Sequence, residues 1–199
     1  PPRSTLFPYT TLFRSNDAHL DARMLMAQIE EDRDNPPSAY GQFLAATESH
    51  PAHFPAQRAA ARLAGTLGDW EAADRHVEAA KSLMGTAETD PVLRAVELGV
   101  AYQHARRTQD LVAAKQISGQ AAELLDTEPG LILARRILID DRIVRQDWEA
   151  ALTELDAALE GEPGERLLYE LQLVVLEQLG RTDAIETQLR DMIDLFPDD

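Results

Sequence analysis

The sequence predicts an all-α fold built from stacked helical hairpins, and three observations lead to it. The segment 146–163, QDWEAALTELDAALEGEP, contains a turn, an amphipathic helix and a stop, and this unit returns 34 residues later at 180–197. Its apolar side chains recur at spacings of four and three, the period of one helical face. Glycine and proline follow the helical patterns, where helices end. A repeat of this length is typical of helix-turn-helix arrays, in which each unit packs on its neighbours.

The first two hairpins follow this period. The turn Asn35-Pro36-Pro37 separates the first two helices, since proline fits at a helix start, where its missing N–H would have no partner. Gly68 ends the third helix and Asp69 caps the fourth. The four helices are predicted over 16–34, 38–49, 55–67 and 69–84.

Three further hairpins follow, and the middle one breaks the period with longer helices. In the next hairpin we expect Asp147 to be the N-cap, with Glu149 in the first turn, where the helix dipole favours acids. The six helices are predicted over 91–107, 111–125, 131–145, 147–160, 165–179 and 182–195. The resulting units of one repeat domain, 16–199, are 20–53, 54–87, an irregular 88–131, 132–165 and 166–199.

Residues 1–15 do not fit this pattern. The stretch TLFPYTTLFRS, residues 5–15, looks like the translation of a common short-read sequencing adapter, and residues 1–15 contain no acid in an otherwise acidic chain. We therefore expect residues 1–15 to be an artefactual or disordered segment that takes no part in the fold. The true start would then be missing, and with it any signal sequence.

The composition excludes several classes of function. The net charge of −16 argues against a nucleic-acid binder, which must neutralise phosphates, and against docking on anionic lipid. The chain has no cysteine, so it has no thiolate nucleophile and no cysteine metal site. It contains no apolar run that would insert into a membrane, no glycine-rich phosphate loop, no nucleophile elbow and no zinc-protease helix. We therefore expect no catalytic residue, cofactor or metal in this segment.

The repeat units resemble the tetratricopeptide repeat, over residues 16–199. The matching residues are Gly68-Asp69-Trp70 with Ala61, Ala73 and Ala80; Asp147-Trp148 with Ala151, Ala158 and Pro163; and Gly180 with Pro197. The fourth position of the first helix, often tryptophan in the family, departs from the pattern with Arg23, Gln57, Arg135 and Tyr169. The resemblance implies a right-handed superhelical solenoid of about five hairpins that binds ligands on the concave side, which the first helix of each hairpin lines.

By the family's pattern, the groove positions of the first helices are rich in arginine. The predicted groove residues are Arg58, Arg62, Gln103, Arg106, Arg107, Arg136 and Asp140. Arginine forks hold carboxylates or phosphates in two-pronged geometry, so the hypothesis is a groove for an acidic peptide or an anionic polymer. The alternative is that these arginines pair with neighbouring acids on solvated helix faces.

Two other groups of polar residues were candidates for chemistry. His50 and His53 could contribute to a metal site, but no third ligand stands at helical spacing, so no metal is predicted. Asp140 and Asp141 could suggest paired carboxylates, but adjacent helical residues do not face one another. We expect Asp140 to face the groove and Asp141 to be solvated.

Two functions remain open. The first is a non-enzymatic scaffold whose groove binds a protein or peptide partner. The composition and texture are similar to bacterial envelope proteins linked to exopolysaccharide or assembly, which favours the periplasm or envelope over the cytoplasm. The second is the docking region of a larger enzyme, such as a zinc protease or a glycosyltransferase. Because no polar capping helix follows the last repeat, we also expect residue 199 to be an artificial end and the uncapped ends to self-associate.

Overall fold

The computed structural model describes residues 16–85 and 89–196, and in these ranges it contains ten α-helices and no strand. The helices are α1 (Asn16–Asp32), α2 (Pro36–Ser49), α3 (Phe54–Thr66), α4 (Trp70–Leu83), α5 (Pro91–Arg107), α6 (Leu111–Thr127), α7 (Ile132–Val144), α8 (Trp148–Gly161), α9 (Arg166–Gln178) and α10 (Thr182–Leu195). The predicted all-α class is confirmed, with all helix ends within two residues of the predicted ones. The proposed adapter segment, 1–15, lies outside the described residues. None of the described helices combines the length and hydropathy needed to cross a bilayer.

The described residues divide into two compact units, with the boundary between Thr89 and Asp90. Helices α1 to α4 make two hairpins in the first unit, and α5 to α10 make three in the second, with successive helices packed together. The hairpin predicted to be irregular is the longest, because α5 and α6 have 17 residues each, whereas the helices after it have 13 or 14. The predicted helical-hairpin repeat is therefore confirmed.

All five hairpins turn in the same way. The middle residue of each three-residue turn has a positive φ, and these residues are Asp34, Gly68, Gln109, Gln146 and Gly180. The next amide donates to the carbonyl five residues earlier at 2.8–3.0 Å, as Asp69 does to Ala64 and Asp147 to Arg142. This is the Schellman ending, which satisfies carbonyls that the helix leaves free.

Most turns continue directly into a capped second helix. The carboxylates of Asp69 and Asp110 accept hydrogen bonds from the backbone N–H groups of Ala72 (3.1 Å) and Ala113 (2.9 Å). Asp147 was predicted to cap its helix in the same way, and this prediction is only half right. It occupies the N-cap position without accepting a capping hydrogen bond, and its carboxylate lies 3.9 Å from the Arg142 guanidinium instead. The guanidinium attracts the carboxylate electrostatically, at a distance longer than a hydrogen bond.

Small side chains let the helices of each hairpin approach closely. Ala61, Ala73 and Ala80 are fully buried in the first unit, as are Ala151 and Ala158 in the second. In the second unit, larger apolar side chains from α7, α8 and α9 complete the core, namely Ile139, Leu155, Leu168 and Val175. Burying such side chains stabilises the fold by roughly 1.5–3 kcal/mol each.

The fourth residue of the first helix has a common role in three hairpins, although its identity changes. The side chains of Gln57, Arg135 and Tyr169 each donate to the carbonyl six residues earlier in the preceding loop. The acceptors are Pro51 (3.0 Å), Pro129 (3.1 Å) and Pro163 (3.0 Å). These residues were noted as departures from the family's tryptophan. The structure shows that they are alternative donors that fasten the loop to the helix.

The same position also links the two helices of its hairpin. Arg135 donates to Glu154 on α8 at 2.8 Å, and Arg94, the fourth residue of α5, donates to Gln120 on α6 at 3.1 Å. Tyr169 instead packs edge-to-face on Phe196, with 5.7 Å between the ring centroids. These three hairpins thus hold their two helices together through different pairs of side chains.

Candidate partner-binding surface

In the second unit, the first helices of successive hairpins, α5 and α7, pack against each other. Three of the predicted groove residues meet there. Arg106 comes from the last turn of α5, and Arg136 and Asp140 lie one turn apart on α7. We call Arg106, Arg136 and Asp140 the α5–α7 surface.

Arg106, Arg136 and Asp140 lie close enough to interact electrostatically. Burial raises the pKa of the half-buried Asp140 carboxyl, and the guanidinium groups of Arg136 and Arg106 oppose this rise. Two arginines from separate helices therefore act on one carboxylate. Such a cluster can exchange an internal carboxylate for that of a bound partner, because guanidinium groups accept more than one acidic oxygen.

Tyr102 lies beneath Arg106. The Arg106 guanidinium carbon is 6.0 Å from the centre of the Tyr102 ring, and the tyrosine is only 1% exposed. Burial raises the pKa of Tyr102; Arg106 lowers it, and Asp140 and Asp141 raise it further. The Arg106 guanidinium can only donate toward the phenolic oxygen, and no described residue accepts a hydrogen bond from the hydroxyl. Sequence reasoning treated Tyr102 only as an apolar position, since its spacing gives no sign of an unpartnered hydroxyl.

The other predicted groove residues have separate positions. Gln103 is half-buried on α5, and Arg107 is exposed at the end of that helix, where its guanidinium lies 3.5 Å from the His104 ring. Arg58 and Arg62 belong to the first unit, one turn apart on α3 and both half-buried. Arg62 forms a salt bridge with Glu31 on α1. The structure thus brings Arg106, Arg136 and Asp140 together and places Arg58 and Arg62 in a different unit.

Asp141 was expected to be solvated, and this expectation is wrong. The residue is 4% exposed and accepts a hydrogen bond from the Ser118 hydroxyl on α6 at 3.0 Å. The Arg145 guanidinium, one turn later, lies 3.0 Å from its other oxygen. Buried carboxylates persist where they are paired and hydrogen-bonded, and these two partners provide that. The sequence could not show this, because Ser118 and Asp141 are 23 residues apart.

The two histidines in the loop before α3 have different surroundings. His53 caps the helix, since its Nδ1 accepts a hydrogen bond from the Ala56 N–H at 3.2 Å. His50 Nδ1 lies 3.2 Å from the Ser49 hydroxyl. Among the described residues, no three acidic, histidine or cysteine side chains group together as metal ligands would.

Comparison with known proteins gives the following. No family model matches the chain, and no curated protein does. Among solved structures, the chain is similar to YrrB, described as a TPR protein with an unusual peptide-binding site, at 15% identity and a TM-score of 0.45, covering 96% of this chain and 94% of that one. It is also similar to MamA protein, at 10% identity and a TM-score of 0.45, covering 89% of this chain and 91% of that one.

Proposed function

We propose that this chain is a non-enzymatic scaffold that binds an acidic segment of a partner protein along the α5–α7 surface. The observation that carries the proposal is that α5 and α7 pack together and place Arg106 and Arg136 where both act electrostatically on Asp140. Two guanidinium groups at one place provide several N–H donors in planar forks, which suits the carboxylates of glutamate and aspartate.

The charge balance also supports an acidic partner. The chain has a net charge of −16, so most of its surface repels acidic peptides. The α5–α7 surface carries two cations against one carboxylate, and burial disfavours the charged form of that carboxylate. A partner would therefore be directed to this place by attraction here and repulsion elsewhere. Binding should weaken with added salt, since exposed charges are screened.

The kind of protein to which such a scaffold belongs is proposed from the sequence resemblance alone. Repeat-containing envelope proteins of bacteria, some linked to exopolysaccharide, have a similar sequence texture, and we propose that this chain belongs to a larger protein of that kind. A linear acidic polymer would present the same carboxylates as an acidic peptide. We favour the peptide, because an extended peptide buries side chains on a helical surface in addition to pairing its carboxylates.

The test is fluorescence anisotropy with a labelled oligoglutamate peptide. Arg136→Glu should weaken binding about ten-fold or more, because it replaces attraction with repulsion at the centre of the surface. The matched controls are Arg75→Glu and Arg190→Glu. They reverse exposed arginines whose salt bridges with described residues lie within their own helices, to Glu71 and Glu186.

Both controls carry the same change in net charge and should bind nearly as well as wild type. Equal weakening by all three variants would show a general charge effect and overturn the proposal. The same conclusion would follow if the wild-type chain did not bind the peptide at low salt. Circular dichroism confirms that each variant is folded.

A further inference from the structure

A cleft of about 280 Å³ opens at one end of the irregular hairpin. It lies where the C-terminal end of α5, the first turns of α6 and the C-terminal end of α7 meet. Arg106 and Tyr102 line it from α5, Lys115 from α6, and Asp141 and Arg145 from α7. Arg106 also belongs to the α5–α7 surface, so the cleft and that surface share a residue.

Two cations at this cleft form no salt bridge with a described residue, although Arg106 also acts electrostatically on Asp140, which does not line the cleft. Lys115 is exposed and forms no ion pair with any described residue, and Arg106 forms no salt bridge in the described part of the chain. The one carboxylate at the cleft, Asp141, is already held by Ser118 and Arg145. The cleft therefore has excess positive charge in a strongly acidic chain, and a bound anion would compensate it.

A buried donor without an acceptor lies in the wall of the same cleft. Tyr102 is 1% exposed, and its hydroxyl has no hydrogen-bond partner among the described residues. Leaving such a group unpaired destabilises a protein, so buried hydroxyls usually have partners. A ligand oxygen that accepted this hydrogen bond would remove that cost. The missing acceptor of this hydroxyl is a second observation that points to a ligand, in addition to the positive charge at the cleft.

Apolar side chains also line the cleft. Leu111, the first residue of α6, is 67% exposed, and Val144, the last residue of α7, is 42% exposed. Large apolar side chains at the edge of a charged cleft favour a ligand that has an apolar part next to its anion. A free inorganic anion would leave this apolar surface in water.

We propose that this cleft binds an acidic residue of a peptide whose neighbouring side chain is apolar. The carboxylate accepts a hydrogen bond from the Tyr102 hydroxyl and lies near Arg106 and Lys115, and the apolar neighbour packs on Leu111 and Val144. This inference rests on the proposed function and names where the acidic segment is anchored. Binding at this cleft requires positive charge, a buried donor and apolar contact at one place. Such binding is more specific than charge attraction along a helix.

The first variant is Tyr102→Phe, which removes only the hydroxyl. Binding of a labelled peptide of alternating glutamate and leucine should weaken about ten-fold, the effect of losing a hydrogen bond to a charged group. The melting temperature of the free protein should be unchanged or higher, because an unpaired buried polar atom has been removed. A lower melting temperature, or unchanged peptide binding, would overturn the role given to Tyr102.

The second variant is Lys115→Glu, and its control is Lys81→Glu, at the only other lysine of the chain. Lys115→Glu should weaken binding of the alternating peptide about five-fold, whereas Lys81→Glu should leave it nearly unchanged. The wild-type chain should bind the alternating peptide more tightly than oligoglutamate, and acetate should compete weakly. Equal affinities for the two peptides would refute the apolar contact.

Arg136→Glu separates this proposal from the proposed function, because Arg136 does not line the cleft. If Arg136→Glu weakens binding and Lys115→Glu and Tyr102→Phe do not, the α5–α7 surface stands and the cleft fails. If Arg136→Glu also has no effect, the proposed function fails with it.

Discussion

Replacing Gln146 with glycine should stabilise the second unit. Gln146 has a φ of 60°, in the left-handed region, where Gly68 and Gly180 stand in the equivalent turns with φ of 78° and 67°. This conformation costs a non-glycine residue about 1–2 kcal/mol. Glycine has a more flexible unfolded state, which costs about 0.4–1 kcal/mol in return. The Gln146 side chain is exposed and forms no hydrogen bond with a described residue that would be lost.

The expected net gain in unfolding free energy is therefore about 0.5–1 kcal/mol, or a melting temperature higher by about 2–3 °C. The chain has two tryptophans, and Trp148 lies two residues after Gln146, partly packed on the core of the second unit. In a Trp70→Phe background, the fluorescence of Trp148 reports unfolding of this unit in urea. The midpoint should rise while the slope stays constant, since the exposed surface does not change.

Gln146→Ala is the matched control, because alanine removes the side chain but keeps the strained φ. It should not stabilise the protein. Stabilisation by alanine equal to that by glycine would show that the glutamine side chain, and not the backbone, carries the cost. A lower midpoint for Gln146→Gly would refute the reasoning about the turn itself.

Two further predictions concern hydrogen bonds of the hairpins. His76, on α4, has its Nδ1 at 2.8 Å from the side-chain oxygen of Gln57 on α3. Burial lowers the pKa of His76, so the folded first unit favours the neutral ring and should lose stability as the pH falls below about 6.5. His76→Gln should reduce that loss in urea titrations followed by the fluorescence of Trp70 in a Trp148→Phe background, and an unchanged pH dependence would contradict this. Tyr169→Phe removes the hydrogen bond to the Pro163 carbonyl and should lower the unfolding free energy of the second unit by about 0.5–1.5 kcal/mol, whereas no change in the urea midpoint would mean that water replaces the hydroxyl at no cost.

The helices and hairpins could be predicted well from the sequence because their signals are local. Gly68 and Gly180 mark turns directly, since glycine readily adopts a positive φ. Gln109 and Gln146 adopt the same conformation without any such mark in their identity. Their role follows only from their position between two helical patterns. The repeat period and the helix-end signals therefore predicted the fold, whereas the turn residues Gln109 and Gln146 gave no signal of their own.

The candidate site could be predicted only in part. Arg106, Arg136 and Asp140 were selected by their positions in the family's first helix, and the structure brings them together. The cleft beside them was not predicted, because it forms only where three helices meet. Which of its side chains have no hydrogen-bond or charge partner also depends on that packing. The burial of Asp141 and the unpaired hydroxyl of Tyr102 are properties of tertiary packing, and neither has a signature in residue spacing.

The fastening of the inter-hairpin loops has a consequence for how such repeats diverge. An amide, a guanidinium and a phenol, in Gln57, Arg135 and Tyr169, deliver a hydrogen bond to the same point of the backbone. These three hairpins therefore share at this position a hydrogen-bond donor that reaches the carbonyl six residues earlier, and they do not share a residue type. Because different side chains can donate this hydrogen bond, one unit can exchange its donor residue without disturbing the next unit. Repeats aligned by residue identity look unrelated here, whereas repeats aligned by hydrogen-bond acceptor coincide.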